Sequence, residues 1–245
     1  MFVMVMTVLL FINASTSLMT DTYRNPSTLR YCAGSSATCH DDQPLEMELE
    51  VVSITPKVFI IPLFLSDFEC DEIINLARPI ISDSLVGDRG TGGIGYRSTR
   101  TSKNSWVKRE TNAVTETLSM RAADLMKIDE KLLRSDLNSE ELQVVHYDKT
   151  QKYDAHNDWT GSNRPESRFL TLLIYLNDPD AGGETSFPKG ADGLGFKVTP
   201  RKGSAVLFYN LLEDGNGDDL ALHSAMPVLS GEKWAANYWV WDPKR

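Results

Sequence analysis

Apolar and polar positions change rhythm along this chain, and the change divides it. Behind Ser66-Asp67, a pair suited to capping, apolar residues recur at helical spacing from Glu69 to Arg78 and Pro79 follows, which predicts a helix there. Val114, Leu118, Ala122, Leu125 and Met126 form a second stripe, predicting a helix over about 112–126. After these the period shortens. Apolar segments around 142–147, 169–176, 204–209 and 233–241, rich in β-branched and aromatic residues, predict strands, and Ser230-Gly231-Glu232 predicts the turn before the last of them. Helices therefore come first and strands later, with no internal repeat or heptad pattern.

The first residues belong to neither rhythm. Met1 to Ile12 is a nearly unbroken apolar run, short for a bilayer span, followed by Asn13-Ala-Ser-Thr-Ser17. It is expected to be a signal peptide or a short membrane anchor over 1–17, placing the protein in the endoplasmic reticulum and secretory pathway. Membrane contact follows only if that leader stays uncleaved. Residues 18–54 are expected to be a linker, and 55–245 one catalytic domain, since a β domain of this size commonly stays undivided. In an oxidising compartment Cys32 and Cys39, which flank a Gly/Ser/Ala-rich stretch, suit a local disulfide and Cys70 an unpaired core thiol, although an odd count permits other pairings.

Composition narrows the partners. With 245 residues and a formal net charge of −9, the chain shows no basic stripe able to track phosphates, which argues against a nucleic-acid partner. Gly87 to Gly95 is glycine-rich, yet it lacks the strand–Gly–helix context and the following Lys-Ser/Thr of a phosphate-binding loop. It is expected to be a loop.

Candidate chemistry lies in the strand-rich half. His156 and Asp158 are two residues apart, so in an extended strand they share a face, and His223 sits in the short apolar run 220–229. Two histidines and one carboxylate can bind one face of an octahedral Fe(II) and leave adjacent positions open, an arrangement suited to oxygenase chemistry. Period-two alternation puts Lys233, Asn237 and Trp239 on one face of the last strand. A lysine turned to the same interior needs an anion, which a dicarboxylate cosubstrate would supply. Each residue alone has an ordinary explanation: a packed core histidine, a solvated lysine, a core aromatic.

The motifs from about residue 55 onward resemble the prolyl 4-hydroxylase alpha-subunit family, within the Fe(II)- and 2-oxoglutarate-dependent dioxygenases. Gln143 to Asp158 is similar to the family's first metal-ligand segment, Arg168 to Asn177 to its central strand, and Gly182-Gly-Glu-Thr-Ser-Phe-Pro188 to its GGET-x-F-P turn. Pro200 to Phe208 and His223 to Trp239 complete the pattern. The resemblance implies a mainly β fold with flanking helices, a double-stranded beta-helix or jelly-roll of two sheets buttressed by N-terminal helices. It implies that His156, Asp158 and His223 ligate iron, that Lys233 binds the distal carboxylate of 2-oxoglutarate, and that Tyr147 and Thr185 hydrogen-bond that carboxylate while Trp239 lines the same pocket. Tyr153 and Arg168 match positions near a peptide substrate, and Arg100-Thr-Ser102 resembles a segment of the substrate lid. The expected reaction converts peptidyl proline to 4-hydroxyproline with O2, releasing succinate and CO2, with L-ascorbate sustaining the iron and a proline-rich peptide or protein as substrate.

Two departures from the family pattern bear on loop shape and substrate preference: Thr150 stands where glycine is usual, and Asn157 where an aromatic is common. Other readings remain open. A hydroxylase of a free amino acid or another protein side chain would share the site. A non-enzymatic metal- or sugar-binding jelly-roll would not need Lys233, Thr185 and Tyr147, and a zinc hydrolase would need a general base beside the metal, for which no H-E-x-x-H segment is present.

Overall fold

The structure, a computed structural model, describes residues 20–24, 46–84, 99–159 and 167–241. The leader, Cys32, Cys39 and the glycine-rich 87–95 segment lie outside the described residues. In chain order the elements are β1 (Thr20–Arg24), β2 (Glu46–Ser53), β3 (Val58–Ile61), α1 (Asp67–Ala77), β4 (Ser82–Asp83), β5 (Lys103–Val107), α2 (Ala113–Met126), β6 (Leu142–Tyr147), β7 (Tyr153–His156) and β8 (Arg168–Tyr175). There follow β9 (Ala181–Gly182), β10 (Thr185–Phe187), β11 (Phe196–Val198), β12 (Ala205–Tyr209), β13 (His223–Ala225), β14 (Val228–Ser230) and β15 (Lys233–Trp241).

These strands build the two sheets of a jelly-roll. The major sheet runs β1-β2-β3-β12-β8-β15-β6-β5-β4, the minor one β11-β10-β13-β7, and β14 pairs with β9. Alternation along the central strands explains why two cores form. On β8, Leu170, Leu172 and Ile174 turn toward the helices and pack with Ile73 and Ala77 of α1 and Leu118 and Ala122 of α2. Leu173 and Tyr175 turn the other way and join Val145, Tyr147, Phe187 and Phe208 between the sheets. One strand thus serves both sides.

Each helix begins where its polar residues can satisfy free backbone donors. Ser66 caps α1, its hydroxyl accepting from Glu69 N at 3.2 Å while Glu69 Oε2 accepts from Ser66 N at 2.8 Å. Asn112 caps α2 in the same reciprocal way with Thr115. A fully buried pair then ties the helices together, the Arg121 guanidinium donating to both oxygens of Glu69 at 2.9 Å. Pro79 lies in a short 3-10 turn after α1, as expected of a residue that cannot continue the helix.

Two expectations need correction. Within 18–54, expected to be linker, Thr20–Arg24 forms β1 and 46–53 forms β2, paired with β1 and β3 and with Met47 buried; the alternation Met47, Leu49, Val51 between glutamates carries β2. Asp158 also falls outside its expected strand, because β7 ends at His156. Its side chain converges on the histidines all the same.

Candidate active site

The minor sheet brings the two histidines together. His223 on β13 is the cross-strand partner of His156 on β7, and their rings lie 4.4 Å apart. Asp158 Oδ1 is 3.5 Å from His156 Nε2, and Asp158 Oδ2 is 3.8 Å from His223 Nε2. One ligand atom from each residue lies within 4.8 Å of the others.

Second contacts decide which atoms face inward. His156 Nδ1 is 2.9 Å from Asp154 O and His223 Nδ1 is 3.0 Å from Ala221 O. A carbonyl can only accept, so each Nδ1 carries the proton and each Nε2 offers a lone pair to the shared space. Burial pushes His223 down to about 4, against the pull of Asp158, so its imidazole is neutral at physiological pH. Burial alone would raise the Asp158 carboxyl, but His223, His156 and Arg168 outweigh it and hold it well below the usual carboxylate range. Two imidazoles turned inward through Nε2 and one carboxylate fit a divalent iron.

Lys233 opens the far end of the same interior. It is buried opposite Tyr147 on β6, and its ammonium donates to Gly183 O at 2.6 Å. Its Nζ lies 5.6 and 5.3 Å from the rings of Tyr147 and Tyr175. Tyr175 donates to Thr185 Oγ1 at 2.7 Å, so Thr185 and both tyrosines surround the amine. Gly183 must be glycine, since its φ is +74° and a Cβ would stand 3.2 Å from Lys233 Cδ. Among the described residues no carboxylate lies within ion-pair distance of Lys233, and burial pushes its pKa down to about 7. A buried amine without an anion fits one end of a dicarboxylate.

Around His156, Asp158 and His223 the remaining predicted residues assemble into one rim. Tyr153 stacks on His156 at 3.7 Å, and the Arg100 guanidinium lies 4.8 Å over Tyr153 while donating to Ser102 Oγ at 2.9 Å. Arg168 is no free strand-edge charge. It forks onto Glu140 at 2.6 and 3.0 Å and lies 3.4 Å over the Trp239 ring. Trp239 departs from expectation: it stands six residues, about 20 Å of strand, from Lys233. Its indole instead donates to Asp158 Oδ2 at 2.9 Å, so it holds the carboxylate rather than walling the Lys233 pocket.

Three contributors escaped the sequence reading. Thr171 donates to Asp158 Oδ2 at 2.7 Å, Tyr175 completes the Lys233 pocket, and Glu140 holds Arg168. A polar threonine inside Arg168-Phe-Leu-Thr-Leu-Leu-Ile-Tyr175, and the tyrosine sharing its face, were the available signals.

The pattern of the 2OG-Fe(II) oxygenase superfamily matches residues 142–241. Prolyl 4-hydroxylase 5 of Arabidopsis thaliana is 33% identical over 213 residues, covering 79% of this chain and 71% of that protein. Prolyl 4-hydroxylase 2 of the same plant is 32% identical over 230 residues, covering 84% and 75%. Among solved structures, the viral collagen prolyl hydroxylase of Paramecium Bursaria Chlorella virus-1, in complex with 2OG, superposes with a TM-score of 0.61 at 28% identity, covering 78% of this chain and 98% of that one. The chain therefore belongs to the prolyl 4-hydroxylase family of the 2OG-Fe(II) oxygenase superfamily and is a dioxygenase of that class.

Proposed function

We propose that this protein hydroxylates peptidyl proline at C4, consuming 2-oxoglutarate and O2 and releasing succinate and CO2. The observation that carries the reading is the buried, anion-free Lys233 in the same interior as the His156, Asp158 and His223 donors. His156, Asp158 and His223 would hold Fe(II), which when bound supplies the activation of O2. Lys233 would neutralise the distal carboxylate of 2-oxoglutarate, with Tyr147 and Thr185 adding hydroxyl donors that orient it. Tyr153, Arg100, Ser102 and Arg168 line the mouth, where ring faces and guanidinium donors suit a proline-rich chain presenting carbonyls. The interior between the sheets keeps water from the reacting carbon. Ascorbate would keep the metal reduced, and the apolar N-terminal run would direct the enzyme to the endoplasmic reticulum.

The test is incubation with a proline-rich peptide, Fe(II), 2-oxoglutarate and ascorbate, followed by mass spectrometry of the peptide and assay of succinate. One added oxygen on proline, matched by succinate, is the expected result. Hydroxylation of free proline or of a lysine-containing peptide instead would favour a different substrate class, and no succinate with any of them would overturn the reading.

A further inference from the structure

We infer that Asn210, acting through Thr171, is a positioning residue that reserves one oxygen of Asp158 for the metal; the inference rests on the metal-binding reading of His156, Asp158 and His223. Asn210 follows β12 and is fully buried. Its backbone is clamped on both sides, the N–H donating to Phe169 O at 2.9 Å and the carbonyl accepting from Asp218 N at 2.8 Å. Its Nδ2 donates to Thr171 Oγ1 at 2.9 Å, and Thr171 Oγ1 lies 2.7 Å from Asp158 Oδ2.

The proton directions follow from chemistry. An ionised carboxylate can only accept, so the single Thr171 hydroxyl proton must go to Asp158. Thr171 Oγ1 can then only accept from Asn210, which must turn its NH2 group toward it. Trp239, the cross-strand partner of Thr171, donates to the same Asp158 oxygen at 2.9 Å. Oδ2 is thus saturated by two donors. Oδ1 faces His156 Nε2 at 3.5 Å and Arg168 Nη1 at 3.8 Å, both longer than the two donor contacts on Oδ2, and is left as the metal-binding atom.

The other end of the amide shows that packing alone does not explain Asn210. Its Oδ1 is buried with no hydrogen-bond partner among the described residues, an arrangement that costs stability and that leucine would avoid. A purely structural residue here should therefore be replaceable at a gain.

The experiment titrates Co(II) into the metal-free full-length protein, reading the dissociation constant by calorimetry and visible absorption, with thermal stability measured alongside. Thr171→Val should weaken binding about 10- to 100-fold and Thr171→Ser should restore it. Asn210→Leu should weaken binding about tenfold while leaving the metal-free melting temperature unchanged or raised. The double variant should bind no worse than Thr171→Val alone, since both act through one hydrogen bond. If leucine prevents folding, Asn210→Ala removes the same donor. Wild-type affinity in the Asn210 variants, or additive losses in the double variant, would overturn the inference. A wild-type protein that bound no Co(II) would instead overturn the metal-site reading itself.

Discussion

Among the described residues two clusters of histidine and carboxylate occur, one between the sheets and one at the end of β6, and they differ in what they leave free for a metal. The inner cluster is His156, Asp158 and His223; the outer is His146, Asp148 and Glu232. Their residue types are nearly the same, but the free atoms differ. Inside, each histidine is tied through Nδ1 to a backbone carbonyl and leaves Nε2 open. Outside, His146 Nε2 is already taken by Glu232 Oε2 at 2.7 Å, while Lys103 and Arg78 reach the two carboxylates at 3.6 and 3.9 Å. Asp158 is 4% exposed, whereas Asp148 and Glu232 are 52% and 45% exposed and can exchange partners with water. The outer group staples the start of β15 to the end of β6 as an ion-pair network. A metal site is distinguished by which lone pairs its surroundings leave unused.

The largest expected effect breaks this comparison directly. Asp158→Ala should lower Fe(II) or Co(II) affinity by more than about a hundredfold, since even partners behind a ligand commonly cost 10–100-fold. Asp148→Ala should leave metal stoichiometry and affinity unchanged. Calorimetric titration of both variants decides it; equal losses would mean the outer cluster also holds metal.

Next in size is Lys233→Ala, which removes the cation but none of the ligands. Breaking a buried charged pair costs roughly 3–5 kcal/mol, so the requirement for 2-oxoglutarate should rise by about a hundredfold or more while metal affinity is kept. Lys233→Arg should not rescue it. The amine sits by the Gly183 carbonyl and the Tyr147 and Tyr175 rings, a setting matched to a compact ammonium and not to a larger planar guanidinium. Succinate production against cosubstrate concentration checks both variants.

A smaller effect comes from acidity. Burial lowers Lys233 from 10.5 to about 7, so the amine is mostly charged below pH 7 and increasingly neutral above it. A dicarboxylate needs the charged form. Affinity for 2-oxoglutarate should therefore fall as pH rises above about 7, by at most about tenfold per pH unit, with proton uptake on binding. Stability of the free protein moves the other way, because the unfolded chain binds the extra proton between pH 7 and 10.5, so the penalty of the buried ammonium is relieved across that window. Calorimetry in buffers of different ionisation enthalpy measures the uptake; none at pH 8 would show Lys233 charged before the cosubstrate arrives.

How much of this was legible in the chain depends on whether the deciding partner is near in sequence. Capping at Ser66 and the alternation of β15 are local patterns, and they were readable; capping by Asn112 is equally local but was read only as the start of a helix. The convergence of His156, Asp158 and His223 and the burial of Lys233 were readable because motif order carried them. Strand β2 was missed although Met47, Leu49 and Val51 alternate, because the surrounding polar residues read as linker. The placement of Trp239 and Thr171 on Asp158, and of Asn210 behind Thr171, was not legible. It depends on β7, β8, β12 and β15 meeting across two sheets, and no spacing along one strand reports that. For Arg168 the resemblance gave a place near the substrate but not its anchor, because Glu140 lies 28 residues away.

The turn joining the two clusters supplies the smallest effect. It runs from Asp148 on the outer side to His156 on the inner, and Thr150 within it has φ +71°. A β-branched residue in that left-handed region is strained, which accounts for glycine being usual there in the family. The backbone keeps the shape nonetheless, with Thr150 N donating to Val228 O at 2.8 Å. Glycine retains that donor, and the exposed threonine side chain has no packing to lose. Relief of roughly 1–2 kcal/mol of strain, less the roughly 0.5–1 kcal/mol entropic cost of glycine, leaves a net gain of about 0–1.5 kcal/mol, centred on about 0.75 kcal/mol, for Thr150→Gly. In a domain of this size that raises the melting temperature by about 1–4 °C. Metal and cosubstrate affinities should not change, because the ligand-bearing strand keeps its register. A drop in melting temperature would show that the threonine side chain stabilises the turn, and a shift in metal affinity would show that the turn, and not only the sheet, sets the position of His156.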